Sequence, residues 1–204
     1  MERATTSSGP VMAAPDVQLK EDKKPIRFLL REATATLHAR VDNYFGKLLR
    51  DRHCGYARFL TRTARSVLPL ERALREAGVS RVVPDWPIRS RSAALLADLG
   101  MLSEPVPDAF PAYDDPLLDD EAYMFGVMYV LEGSRLGARV ILGMLETNPV
   151  NDPRPTLYLS HGHGLPLWQT FIAQLESSEE VRRNPQITVA GASAAFRFFL
   201  HCDG

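Results

Sequence analysis

The stretch AYMFGVMYVLEGSRLGARVILGMLE, Ala122 to Glu146, constrains the fold of this chain more than any other. Its apolar residues recur at helical spacing, yet it carries four glycines, Gly126, Gly133, Gly137 and Gly143. Glycine inside a helix costs roughly 1 kcal/mol relative to alanine, so four cost on the order of 3–4 kcal/mol, a large share of a domain's net stability. On a helical wheel Gly126, Val130, Gly133, Gly137, Val140 and Met144 fall on one side, with Gly143 elsewhere. One face is therefore nearly stripped of side chains. Such a face serves one of two ends: another helix packs close against its backbone, or a flat ligand lies directly on it.

The rest of the chain reads as an all-α, single-domain protein without internal repeats. Ile26, Leu30, Ala33, Leu37, Val41, Phe45 and Leu48 predict a first helix from Ile26 to about Arg50, with Pro25 suited to the first helical position. A second runs from about Gly55 to Ala77, bent or interrupted near Pro69 and stopped by Gly78. VVPDWP reads as a loop, Ile88 to Leu99 as a short helix closed by Gly100, and the Pro- and Asp-rich Ser103 to Pro116 as a long connection. The glycine helix belongs to a segment from Leu117 to Thr147. NPVNDPRP and SHGHG follow as loop, and Leu165 to about Arg183 and Pro185 to about His201 supply two final helices. Two brief β-favouring runs, TLYL and ITVA, have no hairpin turn beside them. Residues 1–24 hold too few apolar groups to pack and are expected to form a disordered tail, leaving 25–204 as the domain.

Composition removes several functions. At 204 residues, 45% of them hydrophobic, the chain allows one well-buried core and is short for two. A formal net charge of -1, without a Lys/Arg-dense run carrying interleaved aromatics, argues against nucleic acid as a partner. The only cysteines, Cys54 and Cys202, form no CxxC pair, which points to a reducing cytoplasm and away from a disulfide framework or thiolate metal site. No apolar run reaches signal-peptide or membrane-spanning length, so neither export nor a membrane is expected. A di-iron site on a helical scaffold needs paired Glu-x-x-His units, and the chain has none. His161 and His163 flank a loop glycine with no third ligand nearby and read as exposed loop residues.

The stretch FLLREATATLHARVD sets one histidine, His38, in the first helix. It shares a face with Arg31, Thr34, Val41, Asp42 and Phe45. Asp42, one turn onward, is placed to accept the Nδ1–H and leave Nε2 exposed, the arrangement that metal-bound imidazoles favour. Arg31, two turns earlier, is placed to pair with an anionic ligand group. The same His–Asp spacing also occurs on helices that bind nothing. A histidine helix facing a glycine helix suggests a planar macrocycle between them.

LREATATLHARVD, followed about a hundred residues later by YVLEGSRLGARVI, resembles the proximal and distal helices of bacterial heme oxygenases. Helix count extends the resemblance from about Pro25 to His201. It implies an all-α fold with heme between the two helices and His38 as axial ligand to the iron. It further implies that Arg31 meets a heme propionate, that Thr34, Asp42 and Val130 contribute to heme binding, and that Gly133, Ser134 and Gly137 form the catalytic distal face. Heme is then both cofactor and substrate, dioxygen the oxidant, and biliverdin, free iron and carbon monoxide the products. Electrons come from a ferredoxin, a flavodoxin or a reductase. FRFFLHCDG lacks the basic cluster that gives family members further propionate contacts, with Arg197 and His201 as the available substitutes.

Charge is segregated along the chain. Arg50 to Arg91 holds ten arginines and four acids, and Ser92 to Ser134 nine acids with no Lys or Arg. Arg58, Arg62, Arg65 and Arg72 recur at helical spacing, either as a docking face for an acidic electron carrier or as a solvated helix face. A non-catalytic heme carrier, sensor or interaction protein on the same fold is the competing functional expectation. The intact His38 and Gly-Ser-x-Leu-Gly element favours turnover.

Overall fold

The computed structural model describes residues 24–51, 54–102, 110–147 and 154–201. Nearly all of the expected tail, the first half of the 103–116 connection, residues 148–153 and Cys202 lie outside them. Among the described residues the chain is helical, without a strand. The α-helices are α1 (Ile26–Leu49), α2 (Gly55–Glu76), α3 (Trp86–Arg89), α4 (Ser92–Met101), α5 (Glu121–Thr147), α6 (Leu157–Ser160), α7 (Leu167–Ser177), α8 (Glu179–Arg183) and α9 (Pro185–His201). No described helix is long and apolar enough to cross a membrane.

Several helix limits differ from the sequence expectation, each for a local reason. Pro25 stands just before α1 instead of opening it, and the free N–H groups of Ile26 and Arg27 donate to Glu176 of α7, at 2.9 and 3.0 Å. α2 continues through Pro69 and ends before Gly78, whose φ of 78° suits glycine. Part of VVPDWP folds into α3, and α4 runs past Gly100 to Met101. The segment expected from Leu117 begins with a separate 3-10 turn, Pro116–Asp119, capped by Asp115. TLYL forms helix α6 because the buried carboxylate of Asp98 accepts the N–H groups of Leu157 and Tyr158, at 3.0 and 2.9 Å, and this tertiary cap overrides β propensity. ITVA lies inside α9. The helix expected from Leu165 to Arg183 splits where Ser178 caps α8.

α9 lies along both α5 and α1, and these two meet chiefly through it. At the α5–α9 crossing a Cβ on Gly126 would stand 2.0 Å from the Thr188 carbonyl oxygen, and one on Gly191 2.2 Å from that of Tyr123. The bare face of α5 is thus not uniform: Gly126 serves helix packing, while Gly137 has no atom within 4 Å of its Cβ position. On its other side α9 presents Phe196 to His38 and Phe199 to Phe45, with ring centroids 5.5 and 6.3 Å apart.

The arginine-rich stretch is not all surface. Arg89 and Arg91 are fully buried. Arg89 donates to Glu132 at 2.8 Å, to both oxygens of Asp85, to the Leu167 carbonyl at 2.8 Å and to the Thr170 hydroxyl at 2.9 Å. Arg135 donates to both oxygens of Glu132, at 3.0 and 2.9 Å, and to the Arg89 carbonyl. Arg91 donates to the Leu131 carbonyl at 2.8 Å and the Ser134 hydroxyl at 2.6 Å, its guanidinium 4.7 Å from the Tyr158 ring centroid. Glu71 of α2 accepts the N–H groups of Arg91 and Ser92 at the start of α4. Of the four arginines expected as one face, Arg58 and Arg72 are exposed and pair locally, with Asp51 at 3.3 Å and Glu76 at 2.9 Å.

Two outcomes are expected in urea unfolding of the heme-free chain. Gly126→Ala overpacks the α5–α9 crossing and lowers stability by about 1–3 kcal/mol, while Gly137→Ala raises it by up to about 1 kcal/mol; equal effects at both positions would refute the division of the glycine face. Glu132→Gln leaves Arg89 and Arg135 without their shared charge and costs about 3–5 kcal/mol, and a loss near that of a surface Glu→Gln change would show that the cluster does not hold α5.

Candidate functional site

His38 projects from α1 with its side chain 60% exposed. Its Nδ1 lies 2.9 Å from Asp42 Oδ2, and the ring edge rests on Phe196. An Nδ1–H held by a carboxylate fixes the neutral tautomer, so the Nε2 lone pair is the one available to a metal. Arg31, also exposed, lies near enough to α5 for its charge to oppose the rise that burial imposes on the Tyr129 phenol. Thr34 and Val130 are different. They are 2% and 5% exposed, and the Thr34 hydroxyl donates to the Leu30 carbonyl of its own helix at 2.7 Å. A helical wheel assigns each an angle, but neighbouring elements have closed the surface at both, so neither offers a face to a ligand in this conformation.

On α5 the open surface begins near Gly133. A Cβ there would meet Trp168 at 3.7 Å, ordinary contact, and Gly137 is wholly open. Leu136, Val140 and Met144 stand exposed beside them, a row of large apolar side chains on one helix. Ser134 is anchored inward: its hydroxyl donates to the Leu131 carbonyl at 2.7 Å and accepts from Arg91. The structure thus brings Ser134 into the buried charge cluster and leaves Gly137 as the uncovered part of the motif.

Tyr129, Trp168, Arg89 and Glu176 had no assigned role in the sequence reading. A signal existed for two of them. Tyr129 precedes Gly133 by one turn and so shares its face, and Glu132, the lone charge between YVL and GS, requires a buried cation as partner, which Arg89 supplies at 2.8 Å. Trp168 and Glu176 reach α5 and α1 only through tertiary packing, which no local pattern records.

Other candidates resolve simply. His161 is half-buried with Nδ1 3.3 Å from Arg135, and burial together with that guanidinium pushes its pKa down. His201 turns back on its own helix, with Nδ1 2.7 Å from the Arg197 carbonyl. Cys54 is a free thiol whose Sγ donates to Asp51 at 2.9 Å, and this carboxylate bond is the main cause of its raised pKa. No group of three or more His, Cys, Asp and Glu among the described residues is placed to hold a bare metal ion.

No protein-family model matches the chain. It is 34% identical over 148 residues to the heme oxygenase of Xanthomonas campestris pv. campestris (strain 8004), covering 72% of this chain and 87% of that protein. It is 28% identical over 146 residues to heme oxygenase PigA of Pseudomonas aeruginosa, covering 71% and 73% respectively. Among solved structures, the NO- and CO-bound heme oxygenase from Neisseria meningitidis matches with a TM-score of 0.72 over 88% of this chain and 90% of that chain; at 20% identity this likeness speaks for the all-α fold. The all-α fold and 34% identity along most of a heme oxygenase agree: the chain belongs to the bacterial heme oxygenase family.

Proposed function

We propose that residues 25–204 bind heme between α1 and α5 with His38 on the iron, and cleave it with dioxygen to biliverdin, free iron and carbon monoxide. The observation that carries this reading is the pairing of a lone imidazole, fixed by Asp42, with an uncovered glycine, Gly137, on a helix that reaches α1 chiefly through α9. The residues present fit a flat, apolar, iron-carrying group with acidic edges: one imidazole donor, a backbone surface without side chains, exposed Leu136, Val140 and Met144, and the cation Arg31.

Heme, when bound, supplies the redox-active iron at which dioxygen is reduced and also the ring that is oxidised. The chain's own residues do the rest. Asp42 keeps the proton on Nδ1 and so keeps Nε2 a donor. Arg31 offers its guanidinium to a carboxylate at the macrocycle edge. Gly137 leaves room for a small molecule beside the backbone, where a larger side chain would fill the space, and the apolar row on α5 keeps bulk water from that face. Ser134, held by Arg91, fixes the backbone between the two glycines. Electrons come from a separate donor, a ferredoxin, a flavodoxin or a reductase, in a reducing cytoplasm that suits the free thiol of Cys54.

His38→Ala is expected to lose the wild-type heme absorption spectrum and activity, and to regain both on addition of imidazole; a variant whose spectrum matches wild type without imidazole would show that another group holds the iron. For the wild-type chain loaded with hemin, under air with ascorbate or a reductase, catalase and an iron chelator, the Soret band is expected to decay while red biliverdin absorption grows and carbon monoxide is released. A Soret band that persists with a competent donor, or decays without biliverdin, would make the chain a carrier or sensor.

A further inference from the structure

Gly133 and Gly137 are one turn apart on the same face of α5, about 6 Å along its axis, yet their surroundings differ. Gly137 has no atom within 4 Å of its Cβ position, whereas the bare side of Gly133 faces the six-membered ring of Trp168, at 3.7 and 3.9 Å. The indole is wedged in place. Its centroid lies 5.6 Å from that of Tyr129, one turn before Gly133, and 6.3 Å from that of Phe171, which is fully buried and 6.0 Å from Phe125. The backbone around it is also held: Arg89 donates to the carbonyl of Leu167 and the hydroxyl of Thr170, and at the far end of α7 Glu176 grips the first two N–H groups of α1. The exposed apolar stretch of α5 runs from Leu136 to Met144, and Trp168 with Tyr129 closes it on the other side.

We propose that Trp168 is a specificity-determining residue: as a fixed wall over Gly133 it limits how far the macrocycle extends along α5, and so sets which edge of the ring faces the open backbone at Gly137. This rests on heme lying between α1 and α5. A rigid wall selects among rotated placements of a nearly symmetric disc because each presents a different pattern of ring substituents to the indole, and a difference of one or two carbon atoms against a packed surface is worth about tenfold or more. Removing the indole extends the bare face by one turn without touching His38 or Gly137.

The test uses the full chain loaded with hemin, as wild type, Trp168→Ala and Trp168→Phe. The ferric complexes are titrated with a small ligand, azide, and a bulky one, 4-phenylimidazole, and the biliverdin isomers formed under air with a reductant are separated by chromatography. Trp168→Ala is expected to strengthen 4-phenylimidazole binding relative to azide by about tenfold or more and to turn a single biliverdin isomer into a mixture, with Trp168→Phe between the two. An unchanged ligand ratio together with an unchanged isomer, in a variant that still binds hemin through His38, overturns the proposal, as does a mixture of isomers from the wild type. Should Trp168→Ala lose its helical circular dichroism, the ligand ratio of Trp168→Phe decides in the same sense. Failure of the heme site itself has a separate signature: wild type that takes up no hemin, or hemin spectra of wild type and His38→Ala that coincide.

Discussion

Where α5 and α9 cross, two backbones touch. Gly126 faces the carbonyl of Thr188 and Gly191 that of Tyr123, and a methyl group on either would stand within about 2 Å of a carbonyl oxygen. The rest of the arrangement depends on this closeness. α9 is shared between α5 and α1, so its distance from α5 helps to set where α1, and with it His38, stands relative to the glycine helix. The cost of glycine in a helix is offset here by the packing that only glycine permits.

A second constraint acts on the other side of α5. Glu132, Arg135 and Ser134 are consecutive or nearly so, and each is tied to α3 or the start of α4 through Arg89 or Arg91. Such a cluster contributes little net stability over an apolar core of the same shape, because desolvation consumes much of the Coulombic gain. Its fixed hydrogen-bond directions do confine the helix in rotation and register. The uncovered Gly137 is thus presented by a helix held from two sides, by backbone contact at Gly126 and by directional bonds at Glu132 and Ser134.

Much of this was legible in the sequence, because the helical repeat is a local property. α1, α2, α5 and α9 follow from their apolar spacing, and the His38–Asp42 bond from a four-residue interval. What stayed hidden depends on neighbours. A helical wheel puts Gly126 and Gly137 on one face but cannot say that another helix covers the first and not the second, nor that Thr34 and Val130 are closed off. Arg89 and Arg91 lie in the arginine-rich stretch, where arginine is rarely buried without partners, and the partners of their side chains come from α5 and α7. TLYL shows no helix-forming bias of its own; Asp98, 59 residues earlier, makes it a helix. The regular elements follow from periodicity, and the contacts that shape the site come from distant residues.

The contact between Cys54 and Asp51 bears on survival during work with oxygen. A thiol is attacked by peroxide mainly as its thiolate, and the neighbouring carboxylate disfavours that form by accepting the proton and repelling the negative charge. Under the proposed function the chain meets dioxygen and reducing equivalents together, and peroxide is a by-product of that combination. Cys54 meets it in the less reactive protonated form, so the partly exposed sulfur is protected by an acid three residues away and needs neither burial nor a second cysteine.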